Sequence, residues 1–151
     1  VLEEFASANR EVEYRILATD LSTDVLEAAK RGVYPRDMVM PVVPKSMQQR
    51  YVMVARDRSR TDVRISPRLR TKVGFARLNL MDENYPVGDA MHMIFCRNVL
   101  IYFDKATQAK VLTRLCECLL SGGYLFVGHS ESLTGIPLPV KQVANTVFRK
   151  V

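Results

Sequence analysis

The chain of 151 residues is long enough for one globular domain, and its 48% hydrophobic residues suffice for a core. No apolar run approaches the roughly 20 residues of a membrane-spanning helix, and Glu3 and Glu4 stand where a signal peptide would be basic. We therefore expect a cytoplasmic protein without membrane insertion.

The formal net charge of +6 is concentrated in residues 45–77, which carry +8 and leave −2 for the rest of the chain. Such a field attracts a polyanion or a strongly acidic protein surface. In this segment only Tyr51 and Phe75 could stack on bases, which argues against nucleic acid. A solvated basic face without a partner is the open alternative.

The cysteines are odd in number, and two of them lie two residues apart in a predicted helix, where they point to nearly opposite sides. Reduced thiols and no metal site are therefore expected for Cys96, Cys116 and Cys118.

Strand-like and helical runs alternate along most of the chain, which is typical of an α/β domain. After an N-terminal helix, the pattern predicts a buried strand over residues 14–19 that ends at Asp20. Ser22 can then cap a helix over residues 23–31, and Gly32 can take the left-handed conformation just after it.

The alternation breaks down over residues 33–72, where four prolines exclude long regular elements. A short helix over residues 46–50 and short strands over 51–54 and 62–66 are predicted there, with an arginine-rich turn between the strands. We interpret residues 33–72 as a small β-subdomain inserted into a single domain that spans residues 1–151.

Regular structure resumes with strands over residues 73–80 and 90–96. Asp104 is a good N-cap for a helix that runs to about Leu120, because apolar residues recur there at helical spacing.

Gly122 and Gly123 are expected to end that helix before a strand over residues 124–128. Residues 140–144 and 147–151 could form a closing hairpin. These elements predict a mostly parallel sheet with an antiparallel edge.

Polar residues follow the predicted strands at the edge where ligands bind in open α/β sheets. They are Asp20, Asn79 with Leu80, Arg97 with Asn98, and the run from His129 to Glu131.

An acid at the position of Asp20 can accept hydrogen bonds from the two hydroxyls of a ribose, although a helix-capping role is the alternative. The glycine loop of a dinucleotide site would lie about 20 residues earlier, but no glycine precedes Gly32. Either the chain binds no nucleoside or it begins just after the loop. The predicted first helix favours truncation.

Four runs carry a family resemblance. Residues 95–104 (FCRNVLIYFD) resemble the signature of the chemoreceptor glutamate methyltransferases, the CheR family, and residues 16–22, 49–51 and 122–131 follow the family's order. The resemblance implies a Rossmann-like methyltransferase sheet and the cofactor S-adenosyl-L-methionine, with S-adenosyl-L-homocysteine as product.

By the same resemblance, Asp20 would hold the ribose, and Asn79 and the backbone of Leu80 would meet the adenine. Arg97 and Asn98 would lie along the cofactor, although strand capping is the alternative role for both.

Tyr102 would stand near the transferable methyl, which makes Tyr102 and Arg97 the candidate catalytic residues. The alternative for Tyr102 is an aromatic side chain packed at a helix entry. A general base is not expected, because the receptor glutamate that the family methylates is ionised at neutral pH.

The basic insert resembles the family's β-subdomain, which contacts the receptor. The implied partner is the acidic, helical cytoplasmic domain of a chemoreceptor, and the implied contact residues are Arg56, Arg58, Arg60 and Arg64. Whether a receptor tail peptide binds stays open.

Family members also carry a helical N-terminal domain, a central strand and a small-residue acidic loop that this sequence lacks. The sheet must then pair in another way or with another chain, and we expect the piece alone to have little methyltransferase activity. Two alternatives stay open, namely a non-catalytic receptor-binding module of the same fold and a nucleic-acid-binding domain.

Overall fold

The computed structural model describes residues 1–57 and 59–151. Its contacts divide the chain into an N-terminal unit, Val1–Asn79, and a C-terminal unit, Leu80–Val151. Helices and strands alternate in both units, which confirms the predicted α/β class. In the described residues no helix is long and apolar enough to cross a membrane.

The frame of the N-terminal unit is a parallel pair of strands with a helix against it. Strand β1 (Ile16–Asp20) pairs with β5 (Val73–Arg77), and helix α2 (Thr23–Arg31) contacts both strands. Helix α1 (Leu2–Ala8) precedes them. The predicted cap of α2 is confirmed, because the Ser22 hydroxyl accepts a hydrogen bond from Val25 N at 3.3 Å.

The insert of this unit contains a three-stranded antiparallel sheet in its described residues. Strand β4 (Asp62–Ile65) lies between β2 (Val33–Pro35) and β3 (Val52–Val54). The hairpin of β3 and β4 was predicted, whereas β2 was missed. It ends in a proline, which an edge strand tolerates because one side of the strand needs no hydrogen-bond partner. The short helices here are α3 (Arg36–Val39), α4 (Lys45–Tyr51) and α5 (Pro67–Arg70).

The C-terminal unit holds a four-stranded mixed sheet. Strand β6 (Met91–Cys96) is parallel to β7 (Leu119–Val127), β9 (Val147–Lys150) is antiparallel to β7, and β8 (Val140–Ala144) is antiparallel to β9. Helix α6 (Lys105–Glu117) packs on the sheet. The core comprises Cys96, Leu100, Val111, Leu112, Leu115, Cys116, Leu119, Leu125, Val127 and Leu133.

The predicted end of helix α6 was wrong. The helix ends at Glu117 rather than near Leu120, and β7 begins at Leu119, so that the glycine pair lies within the strand. Lys150 Nζ donates hydrogen bonds to Cys116 O at 2.6 Å and to Leu119 O at 2.7 Å. These bonds satisfy carbonyls at the helix end without the glycine cap that we expected.

The strand pairing combines parallel strands with an antiparallel edge, as predicted. The pairs β1–β5 and β6–β7 are parallel, and both further pairings in the sheet of the C-terminal unit are antiparallel. The closing hairpin of β8 and β9 is confirmed. Its turn residue Thr146 has a φ of 59°, a left-handed conformation.

Candidate functional site

The N-terminal unit brings two predicted site residues to one sheet edge. Because β1 and β5 are parallel, their carboxyl ends coincide, and Asp20 lies opposite Arg77. Leu78 N donates a hydrogen bond to Asp20 O at 3.0 Å, which extends the pairing past the strand end. Asn79 follows directly. Asp20 and Asn79 therefore lie at the same edge of the sheet.

Asp20 is exposed and already takes part in the turn that leads into α2. Its Oδ1 accepts a hydrogen bond from Ser22 N at 2.8 Å, while the cap of the helix itself is the Ser22 hydroxyl. Asp20 therefore does not cap the helix, and one of its carboxylate oxygens stabilises the turn before it. An exposed strand-end carboxylate of this kind also fits the vicinal hydroxyls of a ribose.

The C-terminal unit places the second set of predicted residues in the turn that follows β6. Arg97 and Asn98 are exposed, and Asn98 has a φ of 59°. A short 3-10 helix, Leu100–Tyr102, follows, and Tyr102 is 80% exposed. Within this unit, Tyr102 is therefore not packed as an aromatic side chain at the helix entry. The exposed set presents a guanidinium, an amide and a phenol.

Glu131 holds this turn in place. Its Oε1 accepts hydrogen bonds from Val99 N at 2.9 Å and from Leu100 N at 2.7 Å. Its Oε2 accepts from Asn98 N at 3.1 Å and from Gly128 N. The carboxylate therefore joins the turn after β6 to the turn after β7. We call these four bonds the Glu131 clamp.

The four donors also set the charge state of Glu131. Burial alone would raise the pKa of this carboxyl, but the backbone N–H groups of Gly128, Leu100, Asn98 and Val99 outweigh burial and lower the pKa below its usual value. Glu131 is therefore ionised at neutral pH. In turn, burial and the Glu131 charge raise the pKa of Cys96 to about 11, which keeps that thiol protonated.

Gly128 is needed for the close approach of the two turns. A Cβ at this position would lie 2.6 Å from Asn98 Oδ1 and 2.7 Å from Glu131 Oε2. It would also lie 3.0 Å from the backbone nitrogen of Asn98. A side chain would push the Asn98 turn away, so glycine is required here for space rather than for its backbone freedom.

Leu80 begins the C-terminal unit and is partly buried against its core. The Tyr85 hydroxyl donates a hydrogen bond to Leu80 O at 2.7 Å. Burial raises the pKa of Tyr85, so it remains a donor at neutral pH. This bond stabilises the backbone at Leu80, whose contact with an adenine stays a prediction.

Three of the arginines that are predicted to contact the receptor are exposed in the basic insert. Arg56, Arg60 and Arg64 are exposed, and Arg58 lies outside the described residues. Arg60 binds Asp62 through two hydrogen bonds of 2.9 and 2.6 Å, so its charge is partly neutralised within the insert. The described residues contain no cluster of His, Cys, Asp and Glu that could hold a metal ion.

Comparison with known proteins decides the family. The family model described as "CheR methyltransferase, SAM binding domain" matches residues 1–149. The chain belongs to the CheR methyltransferase family. The family resemblance inferred from the four sequence runs is thereby confirmed, and so is S-adenosyl-L-methionine as the cofactor.

Curated relatives agree with the CheR assignment. The chain is 37% identical over 136 residues to the chemotaxis protein methyltransferase of Borreliella burgdorferi, covering 89% of this chain and 47% of that protein. It is 39% identical over 135 residues to the Escherichia coli chemotaxis protein methyltransferase, and the match covers 89% of this chain and 47% of that protein. The chain therefore spans about half the length of the curated relatives that it matches.

Among solved structures, the glycopeptide N-methyltransferase MtfA complexed with S-adenosylmethionine resembles the chain with a TM-score of 0.45 and 14% identity. The likeness covers 98% of this chain and 62% of MtfA.

Sequence reasoning did not assign a role to Glu131. Its position was noted because it follows a strand, but its partners Asn98, Val99 and Leu100 lie more than 30 residues away along the chain. The available signal was its spacing of three residues from Gly128, which allows a carboxylate to reach back to the first amide after the strand. One prediction stays open, namely that Asp20 and Asn79 meet Arg97 and Asn98 in one crevice.

Proposed function

We propose that the protein containing this chain is a protein-glutamate O-methyltransferase that acts on the cytoplasmic domain of chemoreceptors. The family assignment and the curated chemotaxis methyltransferases support this proposal. The observation that carries it is the exposed polar set at the strand ends, with Asp20 in one unit and Arg97 and Asn98 in the other.

The proposed roles follow from the chemistry of each group. Asp20 accepts hydrogen bonds from the ribose hydroxyls, and Asn79 with the backbone of Leu80 meets the adenine edge. Arg97 and Asn98 line the cofactor. A carboxylate, amides and a guanidinium match the donors and acceptors of a nucleoside that also carries an amino-acid group.

The reaction itself requires positioning more than proton transfer. S-adenosyl-L-methionine, when bound, supplies a methyl group to a glutamate oxygen, with the C–S bond breaking as the C–O bond forms. The receptor carboxyl has a pKa of about 4.3 when unperturbed, so it needs no general base. We propose that Tyr102 and Arg97 align the carboxylate and exclude water.

We also propose that the 151-residue chain has little methyltransferase activity by itself. Among the described residues of the C-terminal unit, β6 is an edge strand that pairs with β7 alone, so the backbone groups of its other edge can accept a further strand.

The direct test is transfer of labelled methyl groups to receptor-containing membranes. We expect transfer by the full-length natural protein and at most a few per cent of that rate with the chain of 151 residues. Equal rates would contradict the proposed incompleteness, and no transfer by the full-length protein would contradict the proposed reaction.

The basic insert is the proposed receptor surface. Reversing the charges of Arg56 and Arg64 in the full-length protein should raise the KM for receptor about tenfold and leave S-adenosylhomocysteine binding unchanged, because the field that attracts the acidic receptor is reversed locally. Arg10→Glu, an exposed site outside the insert, is the matched control. An unchanged KM in the double variant would contradict the assignment.

A non-catalytic receptor-binding module of the same fold is the second candidate, which the basic insert favours. It predicts that the full-length protein binds receptor but neither binds S-adenosylhomocysteine nor transfers methyl groups.

A further inference from the structure

We propose that Glu131 is a positioning residue of the cofactor site, which fixes the turn that carries Arg97 and Asn98 and the start of the 3-10 helix that carries Tyr102. This inference rests on the proposed function, because it assigns those residues to the cofactor and the methyl group. Glu131 itself touches neither in this assignment. It acts through the backbone of the turn.

The clamp uses both carboxylate oxygens of Glu131, which is half-buried. One side chain accepts four backbone hydrogen bonds, three of them from the consecutive amides of Asn98, Val99 and Leu100. Asn98 and Val99 lie between β6 and the 3-10 helix, and Leu100 is the first residue of that helix, where a backbone N–H has no intrahelical acceptor. The carboxylate thus replaces secondary structure over this stretch.

The clamp also stabilises a backbone conformation that costs free energy. Asn98 has a φ of 59°, in the left-handed region that a non-glycine residue adopts at some cost. A turn of this kind needs surrounding contacts that specify it. Glu131 supplies them directly at the amide of Asn98. Without the clamp, the turn would relax and Arg97 and Asn98 would leave their positions.

The far end of the same segment is held independently. Gln108 Nε2 donates hydrogen bonds to Leu100 O at 2.9 Å and to Phe103 O at 3.0 Å. The 3-10 helix is therefore held at its start by Glu131 and at its end by a residue of α6. The exposed Tyr102 sits on a rigid base, as alignment of a reacting carboxylate requires.

The clamp requires a carboxylate, because a side chain of the same size that carries a donor group cannot accept all four hydrogen bonds. A glutamine would place an amide N–H₂ donor against two of the backbone N–H donors, so half of the clamp would be lost. The Glu131 charge contributes to the raised pKa of the Cys96 thiol, which is about 11, so this thiol is neutral at working pH. Glu131→Gln therefore changes the clamp and leaves Cys96 uncharged.

The test uses the full-length protein and measures S-adenosylhomocysteine binding by calorimetry at a temperature where each variant is fully folded. Glu131→Gln is expected to weaken binding about tenfold, the effect of one or two lost hydrogen bonds to a charged group. Glu117→Gln, which removes the same charge from an exposed position of α6, should stay within about twofold.

A double-mutant cycle separates positioning from general destabilisation. If Glu131 acts through the turn, Glu131→Gln should cause clearly less than its tenfold loss when Asn98→Ala is already present. Full additivity of the two effects would overturn the inference. So would a folded Glu131→Gln variant that binds the product as tightly as the wild type.

A second variant covers the case in which Glu131→Gln does not fold. Gly128→Ala disturbs the same clamp sterically, and the same loss of binding is expected. Failure of both variants to fold would overturn a positioning role, since the clamp would then be a requirement of the fold. If the wild type does not bind the product at all, the proposed function has failed, which is a distinct outcome.

Discussion

At the scale of single residues, sequence position identified the exposed strand-end groups but not the groups that hold them. Asp20 and Asn98 could be predicted because they lie at or just after the ends of strands, and a strand end is visible in the sequence. Glu131 and Glu3 could not, because their roles depend on partners far along the chain. Glu3 is 8% exposed and is bound by Arg68, which lies 65 residues away.

The Glu3 network predicts an acid-sensitive contact in the N-terminal unit. The Tyr14 hydroxyl, at 2.8 Å, and the Arg68 guanidinium lower the pKa of Glu3. A carboxyl whose pKa is lower in the folded state than in the unfolded state stabilises the folded state. This stabilisation is complete at pH values above the unfolded pKa of about 4.3, and it is lost as the pH falls through the pKa of the folded state.

Glu3→Gln should therefore lower the melting temperature at pH 7, and the gap from the wild type should shrink at pH 4. Glu11→Gln, an exposed acid in the same unit, should leave both values unchanged. Thermal melting followed by circular dichroism measures both. A gap that is absent at pH 7, or equal at both pH values, would contradict the role of Glu3.

At the scale of elements, caps that lie next to their helices were predicted and those that come from a distance were not. Ser22 caps α2 and Asp104 caps α6, where Asp104 Oδ1 accepts from Thr107 N at 2.7 Å. Both signals are local. The end of α6 was misplaced because its carbonyls are bound by Lys150, more than 30 residues further along the chain.

Lys150→Met should destabilise the C-terminal unit by about 2 kcal/mol, since two charge-assisted hydrogen bonds are lost, one to a carbonyl in the last turn of α6 and one to the first carbonyl of β7, while the aliphatic part of the side chain is kept. Lys141→Met, an exposed lysine of β8, should change stability by less than about 0.5 kcal/mol. Urea unfolding monitored by circular dichroism compares the two. Equal effects would show that Lys150 is not a helix cap.

At the scale of the whole molecule, the four sequence runs predicted the family correctly, and the alternation of strand-like and helical runs predicted the α/β class correctly, because both signals can be read from local sequence. The antiparallel edge of the sheet of the C-terminal unit was predicted, whereas the strand β2 and its pairing with β4 were not. Strand partners are chosen by long-range contacts, and the local hydrophobic pattern does not encode them. We propose that Asp20 and the Arg97–Asn98 turn each contribute to binding of the cofactor.

The most direct test is calorimetry of the full-length protein with S-adenosylhomocysteine for Asp20→Ala, Asn98→Ala and the control Asp24→Ala. Asp24 is an exposed acid in the first turn of α2. The account predicts that the first two variants each weaken binding at least about tenfold, while the control binds like the wild type. Wild-type affinity in either Asp20→Ala or Asn98→Ala would contradict a shared cofactor site.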